Sequence, residues 1–241
     1  MLFDPYKNMV GGFSPNDGTI GFYLRVNSIV ENTSVVLDLG AGRGAWFSDD
    51  PCETRRNTRL LKGKVREVIA ADVDAAVRDN LASDRQIVIE NGELDLPKAS
   101  VDVIVADYVF EHVAEVVEFA EQANHVLKEG GWLCARTPHK FNYVALIAAI
   151  TKNNLHSKVL EKVQPNRKEI DVFPTVYKLN TIGDIRRAFP GWSDHSFVHR
   201  SDPAYFFGNR FVYAGLSLIH RLFFKEFSGS IFVFLRKGSE D

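Results

Sequence analysis

Residues Val35 to Trp46 read VVLDLGAGRGAW, a run of mostly aliphatic residues that passes without a break into glycines at positions 40, 42 and 44. A short apolar run closed by turn residues is the pattern of a buried strand. Glycine adopts positive φ without steric cost and lets a ligand approach the backbone. Such a turn at a strand end therefore either closes an ordinary tight turn or cradles part of a nucleotide-like molecule. An acid supports the second option: VIAA at Val68 to Ala71 reads as another strand, and Asp72 follows it at once.

The same alternation continues along the chain. Gln86 to Glu90, Val101 to Ala106 and Trp132 to Thr137 read as strands, while Gly21 to Glu31, parts of Trp46 to Lys62, Ala75 to Ala82 and Val113 to Leu127 read as helices. Short β-branched runs between longer helical ones predict a parallel sheet covered on both faces. After Pro138 the pattern predicts helices at Phe141 to Lys152 and Ser157 to Val163, an ordered loop at Asp171 to Thr175, and a helix at Thr181 to Phe189 capped by Thr181. Strands at Ser196 to His199 and Ser230 to Arg236 flank an aromatic-rich helix. The expectation is one α/β domain over residues 1–241, with a doubly wound Rossmann-like sheet of seven strands, the last antiparallel, helices on both faces and a helical insert.

Composition agrees. The 241 residues are 45% hydrophobic and 25% charged, which excludes disordered and fibrous classes. A net charge of -2 gives no field to attract polyanions, so nucleic acid is not an expected partner. Cys52 and Cys134 are too few for a disulfide framework and lack metal-ligand spacing; a reduced, cytoplasmic setting with no metal site is expected, and the first residues carry no signal-like run. Ala204 to Phe224 approaches the ~20 residues of a membrane span. Arg210, His220 and Arg221 interrupt it, so a helix packed on the domain or lying on a bilayer surface is expected in place of a transmembrane one. Arg55 to Arg66 reads as a solvated basic helix face, or alternatively as a patch for an acidic acceptor or a lipid phosphate.

Gly40, Gly42 and Ala45 also satisfy the G-x-G-x-x-G/A dinucleotide fingerprint. Asp72, however, lies 32 positions beyond Gly40, against the ~20 expected for nicotinamide dinucleotides. An acid at that strand end can accept two hydrogen bonds from a ribose diol in either cofactor class.

With these residues in place the chain resembles the class I S-adenosylmethionine-dependent methyltransferases, within the broad group called methyltransferase type 11. VLDLGAGRG is similar to the family's first motif and AADVD to its acidic second motif. Leu94 to Val113, LDLPKASVDVIVADYVFEHV, resembles the LP…FD…EH stretch, and Val126 to Pro138, VLKEGGWLCARTP, the stretch before the fifth strand. The likeness covers Gly21 to Pro138. It implies S-adenosylmethionine as cofactor, with Gly40, Ala41 and Gly42 facing the methionine moiety and Asp38 supporting that loop or the cofactor ammonium. It also implies Asp72 on the ribose hydroxyls and Val73 beside the adenine. ENGELDLP departs from the family pattern, so the adenine-amine contact falls to Asn91, Gly92 or Glu93, with Gly92 and Glu93 favoured.

The resemblance also implies that Asp107 and Tyr108 follow the fourth strand near the transferred methyl. His112 is either a structural hydrogen-bonder or a base, and His139 points toward the ligand edge. Asp107, Tyr108, His112 and His139 are the catalytic candidates. The implied activity is methyl transfer to a small-molecule, lipid-linked or glycan-type acceptor; the alternatives are a nicotinamide-dependent oxidoreductase and a non-catalytic cofactor-binding partner domain. Transfer from a sulfonium asks the protein to align the groups, exclude water and deprotonate a hydroxyl acceptor. The expected division is a cofactor-binding core over about 21–138, acceptor-side elements over about 139–228 and a final strand over about 229–237. Aromatic residues after Pro138, among them Phe141, Tyr177, Phe207 and Phe211, either line an apolar acceptor pocket or complete the core.

Overall fold

The aliphatic runs assemble into one sheet in the computed structural model, which describes residues 3–143, 174–204 and 206–238. Strands β1 (Val35–Leu39), β2 (Glu67–Asp72), β3 (Arg85–Val88), β4 (Val101–Asp107) and β5 (Leu127–Pro138) pair in parallel. β6 (Ser193–Asp194), β7 (Phe197–Arg200) and β8 (Gly229–Arg236) join antiparallel. The order is β3-β2-β1-β4-β5-β8-β6, with β7 also on β8. The eighth strand beyond the seven expected is β6, whose two residues are too few to show a period in sequence.

Both faces of the sheet are covered because its strands are apolar on both sides. Leu37, Ile104, Leu133 and Val233 pack on one side with Val126 of α4 (Val116–Val126) and Ile185 of α5 (Ile182–Ala188). Val36, Val105, Phe232 and Phe234 pack on the other with Phe22 and Val26 of α1 (Gly18–Asn27). Each such side chain, fully buried, contributes about 1.5–3 kcal/mol. The Asp17 carboxylate caps α1 by accepting from the amides of Thr19 and Ile20, and the Thr181 hydroxyl caps α5 by accepting from that of Asp184.

Several expected boundaries move. The helix over Ala75 to Ala82 is a 3-10 turn, Ala75–Asp79, since Asn80 leaves it to bond the carbonyl of Gly42 at 3.0 Å. The helix expected from Val113 begins at Val116, because Val113 leaves the preceding 3-10 turn, Phe110–His112, in an extended conformation. The basic stretch is no free face: on α3 (Glu53–Arg59) Arg55 binds Asp17 at 2.6 Å and Asp50 at 2.5 Å, clamping α3 to the cap of α1. Ser157 to Val163 and most of Phe141 to Lys152 and Asp171 to Thr175 lie outside the described residues.

The carboxyl ends of β1, β2, β4 and β5 share one edge of the parallel sheet. β8 starts there, with Ser230 opposite Pro138, so the insert between β7 and β8 emerges at that edge. The N-terminal segment closes over the insert: the hydroxyls of Tyr6 and Ser14 donate to Asp202, and the amide of Phe3 donates to the carbonyl of Gly208 at 2.8 Å.

Candidate active site

The glycine loop after β1 is tied to the end of β2 through its backbone. The amide of Gly40 donates to the carbonyl of Ala71 at 2.7 Å, and that of Gly42 to Asp72 Oδ2 at 2.8 Å. Asp72 Oδ1 accepts the amide of Asp74 at 2.9 Å. Gly40 and Gly42 have φ of +70° and +52°, where side chains other than glycine are strained. A Cβ at Gly40 would collide with Val109, whereas one at Gly42 would meet only Asp72 Oδ2, at 4.0 Å. Gly42 thus borders open space beside the strand-end carboxylate.

Next to this loop lies a charged cluster. Asp107, at the end of β4, is held by both arms of Arg136 from β5, Nε at 2.7 Å and Nη2 at 2.8 Å, with both side chains about 95% buried. Arg136 keeps the Asp107 carboxyl below its usual range despite burial. The hydroxyl of Tyr23 donates to Asp107 at 3.4 Å, and Arg59 Nη2 lies 3.5 Å away. The Arg59 guanidinium also stacks 4.5 Å from the ring centroid of Trp46, on α2 (Trp46–Asp49), and 5.4 Å from that of Tyr23.

Three polar groups here are unmet among the described residues. Arg59 Nε and Trp46 Nε1 are buried donors without an acceptor. The Asp38 carboxyl, on β1 just before the loop, feels Arg59, Asp107 and Asp72 only through charge, and burial pushes its pKa up to about 7. Unpaired buried polar groups cost free energy, so two donors and an acidic group left open beside a glycine loop mark a place for a ligand with both an anionic and a cationic end.

The other sequence candidates separate. Tyr108 sits at this edge, 45% exposed, with φ of +61°; its amide donates to the carbonyl of Arg136 and the Arg136 guanidinium lies 4.7 Å from its ring centroid. A strained non-glycine residue held in this way is a mark of functional sites. His112 is turned away to the carbonyl of Pro174, 2.9 Å from its Nδ1. His139 is buried, its Nδ1 accepts the amide of Phe141 at 3.2 Å, and burial lowers its pKa; the proton therefore sits on Nε2, which makes the ring a donor and not a base. Glu111, beside His112, accepts from the Thr137 hydroxyl at 2.9 Å, and Asn180 donates to that hydroxyl oxygen at 2.7 Å. This pair of neighbours joins the β4–α4 loop to β5. Val73 is exposed at the end of β2, and Asn91 and Gly92 form a left-handed turn whose Gly92 carbonyl accepts from Gln122. Among the described residues no three His, Cys, Asp or Glu gather as a metal-holding group.

Sequence reasoning missed Arg59, Arg136 and Trp46. The one signal was an arginine inside an otherwise apolar fifth strand, LCART, which only a buried acid could accommodate.

Residues 37–135 match a family model described as Methyltransferase domain. A protein of Mycolicibacterium smegmatis named as a probable S-adenosylmethionine-dependent methyltransferase is 33% identical over 112 residues, 45% of this chain and 39% of that one. Over residues 37–135 the chain is thus similar to S-adenosylmethionine-dependent methyltransferases. The match spans about two fifths of that curated relative. The matched stretch holds the loop, Asp38, Asp72 and Asp107, and ends one residue before Arg136. Among solved structures, a chain from the complex between the Haloferax volcanii Trm112 methyltransferase activator and its methyltransferase superposes with a TM-score of 0.55 at 16% identity, covering 91% of this chain and 90% of that chain. A [4+2]-cyclase, SpnF, gives 0.54 at 13% identity over 91% and 81%. These likenesses show the fold of the whole sheet, β6 to β8 included, and one of the chains that shares it is a cyclase.

Proposed function

We propose that the chain is an S-adenosylmethionine-dependent methyltransferase acting on a small-molecule, lipid-linked or glycan-type acceptor, with the cofactor on residues 21–138 and the acceptor on elements between 139 and 228. The observation that carries this reading is the set of unmet groups, Asp38, Arg59 Nε and Trp46 Nε1, beside an amide-tied glycine loop and Asp72. These residues fit the cofactor. Each Asp72 oxygen accepts one amide and keeps a lone pair for a ribose hydroxyl. Asp38 meets the ammonium of the amino-acid tail; Arg59 and Trp46 donate to its carboxylate. Gly42 leaves room for that tail, which Gly40 and Ala41 flank, Val73 offers apolar surface to the adenine, and Gly92 with Glu93 takes its amine.

When bound, the sulfonium supplies an activated methyl group. The protein aligns the acceptor and excludes water. Tyr108 borders the reacting space; Asp107, ionised and gripped by Arg136, positions Tyr23, Arg59 and the Tyr108 backbone, and is too strongly paired to serve as a base. His112 and His139 hold backbone in this reading.

The test is thermal denaturation with S-adenosylmethionine, S-adenosylhomocysteine and NAD in parallel. A ligand at ~100 times its Kd stabilises by about 2.7 kcal/mol. Stabilisation by the sulfur ligands and none by NAD is expected. Stabilisation by NAD alone refutes the proposal and restores the oxidoreductase alternative; a response to the sulfur ligands without methylated product in any acceptor class leaves cofactor-dependent chemistry of another kind.

A further inference from the structure

Helix α6 (Arg210–Leu222) carries an apolar stripe that no described residue covers. Phe211, Leu218 and Leu222 fall on one face at helical spacing and are 80%, 57% and 73% exposed. Phe207 before the helix and Phe224 after it extend the stripe and are also exposed. Phe207 and Phe211 therefore do not complete the core.

The opposite face of α6 is docked. Tyr213 packs against Phe3 and Phe206, with centroids 5.6 and 5.2 Å apart, and His220 is buried with Nδ1 3.0 Å from the carbonyl of Ser201. The helix is thus fixed in orientation, with the stripe facing outward. Its charges share one sign: Arg210–Leu222 holds no Asp or Glu, while Arg210 and Arg221 on it and Lys225 just after it are exposed, the nearest acids along the chain being Asp202 and the half-buried Glu226. A protein groove with an apolar floor does not call for a rim of cations alone; an anionic lipid surface does. At about 1.5 Å per residue the thirteen residues of α6 are about 20 Å long, enough to lie along a bilayer, and among the described residues no helix is long and apolar enough to cross one.

We propose that α6 docks the protein on the surface of an anionic bilayer, with Phe211, Leu218 and Leu222 entering the headgroup–acyl boundary and Arg210, Arg221 and Lys225 meeting the headgroups. The insert that bears α6 leaves the sheet at the edge of the candidate site, where Ser230 faces Pro138. Docking brings that edge to the lipid and favours the lipid-linked class of acceptor. This last consequence rests on the methyltransferase reading; the docking itself does not.

The experiment is sedimentation of the full chain with vesicles of phosphatidylcholine alone and of phosphatidylcholine mixed with phosphatidylglycerol, at low and high salt. Partition onto the anionic vesicles, weakened by salt, is expected. Phe211→Ser/Leu218→Ser should lower it by at least about ten-fold, and Arg221→Gln/Lys225→Gln by about five-fold per charge. Phe211→Trp should show a fluorescence blue shift on anionic vesicles only. All these side chains are exposed, so melting temperature and the response to S-adenosylhomocysteine should hold in every variant; loss of that response in the wild type would refute the cofactor reading and leave docking standing. Absence of partition, equal partition onto both vesicle types, undiminished binding by Phe211→Ser/Leu218→Ser, or a dimer broken by Leu218→Ser would each overturn the proposal.

Discussion

Replacing Arg59 by Met should cost the protein its grip on the amino-acid tail of the cofactor and little else. Met keeps the aliphatic stem and removes the guanidinium. Asp107 then loses a neighbour at 3.5 Å but retains both bonds from Arg136 at 2.7 and 2.8 Å, so no buried charge is stranded. Helix α3 remains clamped by Arg55 to Asp17 and Asp50. The loss of stability is limited to the stacking of Arg59 on Trp46, about 1 kcal/mol. The loss of binding is larger, because a charge-assisted hydrogen bond to a carboxylate in a buried site contributes roughly 1.5–3 kcal/mol, about 10- to 150-fold in Kd. Calorimetry with two ligands isolates the tail. S-adenosylhomocysteine carries it; 5′-methylthioadenosine presents the same nucleoside without it. Arg59→Met should weaken the first by this factor and leave the second within about two-fold. Equal weakening of both would mean that Arg59 merely supports the loop, and unchanged binding of S-adenosylhomocysteine would mean that its tail lies elsewhere.

Asp38 makes the same binding depend on pH: with burial holding its carboxyl at about 7, the ammonium must first draw off a proton below that pH. Affinity for S-adenosylhomocysteine should rise up to ten-fold per pH unit toward 7 and level above it, and Asp38→Asn should flatten the curve. Asp72→Ala removes the acceptor of two loop amides as well as the ribose contact; it should weaken cofactor binding by at least about ten-fold while the fold survives, and Asp72→Asn, measured by the same calorimetry, should lose less. Arg136→Met strands a buried Asp107 and should destabilise by about 3–5 kcal/mol in urea unfolding, with Asp107→Leu added to it restoring much of the loss. Glu111 is raised to about 7 by burial, above its unfolded value of about 4.3, so the native state binds the extra proton between them. Stability should fall by roughly 3 kcal/mol as pH rises across that window, and Glu111→Gln should remove the fall.

The parts of the fold legible in the sequence are those set by neighbours along the chain. Val35 to Leu39 is a strand and Gly40 to Gly44 a turn because four apolar residues around Asp38 and three glycines permit little else. The Thr181 cap was equally local. Boundaries shifted where a distant partner was engaged, as when the side chain of Asn80 turned to the carbonyl of Gly42 at the end of Ala75–Asp79. Of the candidate site, the loop, Asp38 and Asp72 were legible, since strand ends in an open α/β sheet converge on one edge.

Residues 35–46 by themselves determined that the chain builds a glycine loop at the end of a buried strand. Only the tertiary structure decided which charges turn inward beside that loop. In sequence Arg59 sits in a run with Arg55 and Arg56 and reads as a solvated face; in the fold Arg55 clamps α1, and Arg59 lies buried between Trp46, Tyr23 and Asp107. Arg136 is an oddity in an apolar strand until β4 brings Asp107 alongside in register. The apolar residues of α6 have the spacing of a core helix, and the packing of Tyr213 and His220 alone turns Phe211 and Leu218 outward. Apolar periodicity and turn chemistry act over a few residues, whereas the free energy of burying a charge depends on partners that only the fold brings within a few ångströms.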